Sequence, residues 1–238
     1  MSRSRRWPLV ALFVGIALLC ARLGLWQVDR LRQRRAVNAA VTAARLAPPV
    51  DLTTTARVTD LAPGRAVRAS GTYDFDHEIV VMGRVLGGTP GVHVLTPLRL
   101  DRSDRAVLVN RGFVPAPDAF SVALDSLREP GRVTVTGVAQ PFATTADRSP
   151  PSRRNGHISV SRVHYGSLRD LLPYPLLHAI VQQDSGSGAP ALPRRLPTDP
   201  LDEGPHLGYA IQWFAFALIA LFFAAIFARR VSSSRRAP

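Results

Sequence analysis

The apolar positions of this 238-residue chain are concentrated at its two ends. Trp7 to Leu25 is a run of nineteen residues broken only by Arg22, and Leu207 to Phe227 is a run of twenty-one without a formal charge. At ~1.5 Å per helical residue, each covers about 28–32 Å, close to the ~30 Å of a bilayer's hydrocarbon core. A backbone in lipid must satisfy its own hydrogen bonds, so both runs predict membrane-spanning helices. Beyond Trp26, the positions Val28, Leu31, Val37, Val41 and Leu46 continue the first helix outward until Pro48-Pro49 stops it.

From Arg65 the pattern changes to short β-branched runs punctuated by Gly and Pro. Ala66–Tyr73, Glu78–Gly83, Val92–Leu100, Ala106–Phe113, Val133–Val138 and His157–Val163 are the expected strands. Six strands with no long helix among them predict a mainly antiparallel barrel or sandwich. Ser167 to Gln183 reads as one or two short helices interrupted by Pro173 and Pro175, and 186–200 as an irregular connector. The expected organisation is a tail at 1–6, a span at 7–25, a helical extension at 26–48, an extracytoplasmic β-rich domain with connector at 49–206, a second span at 207–227 and a tail at 228–238.

Charge sets the expected orientation. Arg229, Arg230, Arg235 and Arg236 follow the second run, whereas Asp202, Glu203 and His206 precede it, which puts both termini in the cytoplasm. The first run carries a weaker, opposing signal: Arg30, Arg32, Arg34 and Arg35 flank its far end against Arg3, Arg5 and Arg6. The basic start and apolar stretch also resemble a signal peptide, but no A-x-A site follows and Leu19 before Cys20 is wrong for a lipoprotein, so an uncleaved anchor is expected. The net charge of +13 is carried by thirty arginines and no lysine. They are scattered without interleaved aromatics, so the lipid bilayer and not nucleic acid is the expected partner. The single cysteine excludes a disulfide framework within one chain.

No G-x-S-x-G, H-E-x-x-H, C-x-x-C, P-loop or extended G-x-G-x-x-G occurs, and a non-enzyme is expected. Gly186-Ser187-Gly188 has no following helix to cradle phosphate. Asp74, Asp76 and Glu78 alternate with Phe75 and His77 and read as a solvated turn in preference to a cation site. The histidines His77, His93, His157, His164 and His178 lack metal-ligand spacing.

The informative residues stand where the two apolar runs end. Leu23-Gly24-Leu25-Trp26-Gln27-Val28-Asp29-Arg30 closes the first, and His206-Leu207-Gly208-Tyr209-Ala210-Ile211-Gln212-Trp213 opens the second. Positions i, i+3 and i+7 share a helix face, so His206, Tyr209 and Trp213 form a stripe descending ~10 Å. Trp26 and Tyr209 also suit plain interfacial anchoring. A polar Gln212 within a span is expected to face a partner helix or a site.

In these segments the chain resembles the surfeit locus protein 1 family of membrane-bound assembly factors for haem-copper cytochrome oxidase. The resemblance continues through Gly71-Thr72-Tyr73-Asp74, Met82-Gly83-Arg84, Gly91-Val92-His93-Val94-Leu95-Thr96-Pro97-Leu98 and Val107 to Pro115; 116–155 carries nothing diagnostic. It implies work on the oxidase catalytic subunit, with haem a synthase as a further partner, by helping to insert or stabilise haem a. For bacterial relatives, haem a binding has been proposed at the histidine opening the second span, assisted by the Trp seven residues on. Here these are His206, as iron ligand, and Trp213, with Tyr209, Gln212, Trp26 and Gln27 around them and Arg22 or Arg30 for the propionates. A neutral imidazole and a guanidinium are chemically suited to those tasks, although Arg22 can equally snorkel to the interface. The competing expectation is a scaffold that never touches haem, with Asn110-Arg111-Gly112 as a structural turn; an enzyme acting on haem is less favoured.

Overall fold

Helix-forming runs at the ends and β-branched alternation in the middle segregate as their periodicities demand. A computed structural model describes residues 6–54, 61–154, 156–185, 190–198 and 200–233. Arg3, Arg5, Arg235, Arg236 and Gly186-Ser187-Gly188 lie outside the described residues. The chain forms two compact units, one from residues 1–40 and 200–238, the other from 41–199.

The first unit is a pair of helices. Helix α1, Arg6–Leu46, ends just before Pro48-Pro49, and α3, His206–Ser233, follows the short helix α2 of the other unit, Tyr165–Leu168. Both α1 and α3 are long and apolar enough to cross a membrane. Ala17, Cys20, Gly24, Gln27 and Leu31 are the buried positions of α1, alternating at three and four residues, and Ala210, Ala217, Ala220 and Ala224 are those of α3. This is the seam of a tightly packed antiparallel pair, in which small side chains let the backbones approach. Phe13 stacks on Phe223 and Phe227 at one end, each with centroids 5.7 Å apart. Further along, a β-carbon on Gly24 would stand 2.7 Å from the Phe214 ring, so any larger residue there would force that ring to move.

The second unit is a sheet of nine strands among the described residues: β1 Val50–Asp51, β2 Ala66–Tyr73, β3 Ile79–Leu86, β4 Thr89–Leu100, β5 Ala106–Pro115, β6 Arg132–Gln140, β7 Ser152–Arg154, β8 His157–Val160 and β9 Leu176–Gln183. Strands β2, β6, β9, β5 and β4 pair in sequence, and β4 returns to β2, closing a five-stranded barrel. Closure happens because β4 is long: Thr89 to Leu95 pair with β3, while Leu98 to Leu100 pair with β2. At that seam a β-carbon on Gly71 would lie 2.0 Å from the Arg99 carbonyl oxygen, a contact only glycine avoids. Val67, Ala69, Leu98, Val107, Val135 and Val181 fill the barrel. Ile79, Leu95, Leu108, Ile158, Leu168 and Ile180 form a second core outside it. Each fully buried aliphatic side chain contributes roughly 1.5–3 kcal/mol. Six of the nine strand pairings are antiparallel; β1–β2, β3–β8 and β5–β9 are parallel.

Three expectations are corrected. Of Ser167 to Gln183, read as helical, only Ser167 to Leu171 is so, as the end of α2 and a 3-10 turn; Leu176–Gln183 is instead β9, paired between β5 and β6. Asn110-Arg111-Gly112 is not a turn but lies within β5, where the register shift between Val94 and Leu95 makes Arg111 the extra residue of a bulge. Gly112, at φ +129°, has the Arg194 carbonyl oxygen 2.2 Å from where its β-carbon would be. Finally, Glu78 is not solvated: it is 0% exposed, as is Arg111. Arg111 Nη1 donates to Glu78 Oε1 at 3.2 Å, Thr96 Oγ1 donates to the same oxygen at 2.8 Å, and Arg111 Nη2 donates to Glu129 Oε1 at 2.9 Å. The guanidinium stands over the Tyr73 ring, 5.2 Å from its centroid. Burial pushes the Glu78 carboxyl upward, against the pull of Thr96 and Arg111.

Candidate functional site

The helix pair is apolar along most of its seam and becomes polar at the end where α3 begins. The Asp202 carboxylate accepts from the Gly204 amide at 2.8 Å, in a turn whose Gly204 has φ +71°, and the chain enters α3 through Pro205. Arg35 clamps Glu203 with two hydrogen bonds of 2.9 Å, and Asn38 Nδ2 donates to the Asp202 carbonyl at 3.2 Å. These contacts fix the start of α3 against α1.

His206 is held within that frame. Its Nδ1 lies 2.8 Å from Gln27 Oε1, and Gln27 is only 9% exposed. With the amide oxygen as acceptor, Nδ1 carries the proton and Nε2 keeps its lone pair. No hydrogen-bond partner for Nε2 stands among the described residues. A β-carbon on Gly204 would approach Cδ2 to 3.4 Å and Nε2 to 3.5 Å, so the glycine leaves that edge of the ring uncovered. A groove of about 300 Å³ opens beside the ring, lined by Arg30, Gln33, Arg34, Val37 and His206.

The other expected residues divide. Trp213 is half-buried and meets Phe216 edge-on at 6.0 Å between centroids. Tyr209 and Trp26 are exposed, on the flanks of the seam. Gln212 is exposed too, and lies off the seam between α1 and α3. Arg22 is exposed and lies outside the groove, whereas Arg30 lines it. Arg34, Gln33 and Gly204 were not singled out from sequence; the signal available for the first two was their spacing of three and four residues from Arg30.

The β-unit has a larger cavity of about 1190 Å³, whose lining includes Asp74, His77, Arg99 and Tyr174. Asp74 Oδ2 accepts from the Tyr174 hydroxyl at 2.8 Å and stands 2.9 Å from His77 Nδ1. Burial and the Asp74 carboxylate hold the Tyr174 phenol well above its usual range. Asp74 thus ties His77 and Tyr174 together through one carboxylate oxygen. Among the described residues, no group of three or more His, Cys, Asp or Glu side chains is placed to hold a metal ion.

A protein-family model described as the SURF1 family matches residues 14–218. An uncharacterized SURF1-like protein of Mycobacterium tuberculosis is 30% identical over 225 residues, spanning 90% of this chain and 80% of its own. A SURF1-like protein of Monosiga brevicollis is 29% identical over 244 residues, covering 94% and 90%. Surfeit locus protein 1 of Mus musculus is 25% identical over 210 residues, covering 81% and 66%.

Proposed function

The chain belongs to the SURF1 family, and from that premise we propose that it assists assembly of a haem-copper cytochrome oxidase by holding haem a for the catalytic subunit. The observation that carries the haem reading is the 2.8 Å contact between Gln27 and His206. Histidines that ligate a metal through one nitrogen are characteristically held by a hydrogen bond at the other, which fixes tautomer and ring orientation. Gln27 does this from a buried position, and Gly204 leaves Nε2 uncovered. Haem a bound here would be held at its iron by the His206 imidazole. Trp213 offers an aromatic face two helical turns from His206, and Tyr209 and Trp26 offer aromatic surface on the flanks.

In this reading both α1 and α3 span the cytoplasmic membrane, both termini are cytoplasmic, and residues 28–205 lie outside. The arginines after the apolar run of α3 and the acids before it support that orientation. The catalytic subunit receives the cofactor, and haem a synthase is its source. The β-barrel is the surface available to these partners. A second reading, a scaffold that binds no haem, draws on the larger cavity of the β-unit as its docking point. Purification in mild detergent from cells that make haem a separates the two: a haem absorption band co-purifying with the chain supports the first, and its absence favours the scaffold.

A further inference from the structure

The charges around the groove do not balance. The helix-pair unit has three acids among its described residues near this end, and each is committed: Asp29 to Arg32 at 3.8 Å, Glu203 to Arg35 at 2.9 Å, and Asp202 to the Gly204 amide at 2.8 Å. Among the described residues, Arg30 bonds the neutral Gln33 amide at 2.9 Å, and neither Arg30 nor Arg34 forms an ion pair with an acid. Arg30 and Arg34 are four residues apart, so their stems rise from one helix face. The groove they line also contains His206 and has no carboxylate in its wall. Two guanidinium groups without counter-anions beside an oriented imidazole make a receptor for a ligand that is anionic at one edge, since guanidinium pairs with carboxylate through two parallel hydrogen bonds.

We propose that Arg30 and Arg34 bind the two carboxylates of a tetrapyrrole. This rests on the reading of His206 as its iron ligand and assigns the polar edge of the same site. Arg22, outside the groove, takes no part. The same chemistry would also attract the phosphate of an anionic lipid, and the test distinguishes these sources.

The probe is iron-free protoporphyrin, which makes no axial bond, compared with its dimethyl ester, which has no carboxylate. Each is titrated by fluorescence into the full-length protein in detergent, and into Arg30→Gln/Arg34→Gln and His206→Ala. Both arginines are exposed, so their replacement leaves the fold intact. The expected result is a preference for the free acid that falls about tenfold or more in the double variant and survives in His206→Ala. Because partition into micelles is common to all variants, the change in the ratio is the readout. An unchanged ratio in the double variant, or no binding of the free acid to the native protein, overturns the proposal. So does a double variant that loses retained anionic phospholipid while keeping the porphyrin ratio, which would make the groove a lipid headgroup site. Failure of His206 as a ligand is seen separately, in the spectrum of the iron porphyrin.

Discussion

Gln27 and His206 are 179 residues apart in the chain and joined by a hydrogen bond of 2.8 Å. The pair stands where α3 begins, on a seam otherwise built of Ala, Gly, Cys, Leu and Phe, and it is where α1 and α3 exchange apolar packing for polar contact. A buried amide without its partner would cost about 1–3 kcal/mol, so each residue secures the other.

The first prediction concerns this orientation. Gln27→Leu should leave His206 free to rotate and weaken haem binding by about 10–100-fold, the usual effect of losing the group that orients a ligand. Gln27→Glu, which retains an acceptor, should restore most of the affinity. Equal binding by the Leu variant and the native protein, measured by optical titration, would contradict the positioning role.

Arg111 is the second test. Its removal leaves Glu78 buried beside Thr96 without its cation. Arg111→Ala should therefore lower unfolding free energy by about 3–5 kcal/mol. Denaturant unfolding of the detergent-solubilised protein measures this, and a loss below about 1 kcal/mol would show that the network carries little.

Much of the barrel was legible because β2, β4, β5 and β6 alternate or run in β-branched residues. Ala66–Tyr73 has the same bounds in sequence and structure. Strand β9 was not legible for a physical reason: it pairs parallel to β5 and is buried on both faces except at the exposed His178, so Leu176, Leu177, Ala179, Ile180 and Val181 show no two-residue period. Pro173 and Pro175 reinforced the helix-breaking interpretation, although they only precede the strand. Arg111 was hidden because a bulge, not alternation, turns its side chain inward. At the helix exits the residue types and their spacing marked out His206 and Gln27, but the bond between them depends on α1 and α3 packing antiparallel, which one-dimensional spacing does not encode.

His93 gives a pH dependence. It lies on β4 opposite Phe113, and burial, followed by the nearby Arg84, pushes its imidazole from 6.5 down to about 4. The unfolded chain therefore binds a proton in a range where the folded chain does not. The contribution is fully present above pH 6.5 and is lost as pH falls towards about 4. The thermal midpoint should fall through that window, and His93→Gln should flatten the decline. An identical slope in the two proteins would contradict the assignment.

Topology is tested by reporter fusions after Arg236 and in the connector at 186–190. Opposite signals are expected, cytoplasmic for the first and extracytoplasmic for the second. Matching signals would rule out two spans with both ends inside.

The most direct measurement is the optical spectrum of His206→Ala purified from cells producing haem a. His206 starts a helix and is only half-buried, so its loss should cost no more than ~1 kcal/mol of stability. Folding should therefore be preserved while the bound-haem spectrum disappears or shifts, and Trp213→Phe, which keeps an aromatic face, should weaken binding less. A folded His206→Ala protein that binds haem a with unchanged spectrum and affinity would contradict axial ligation by His206.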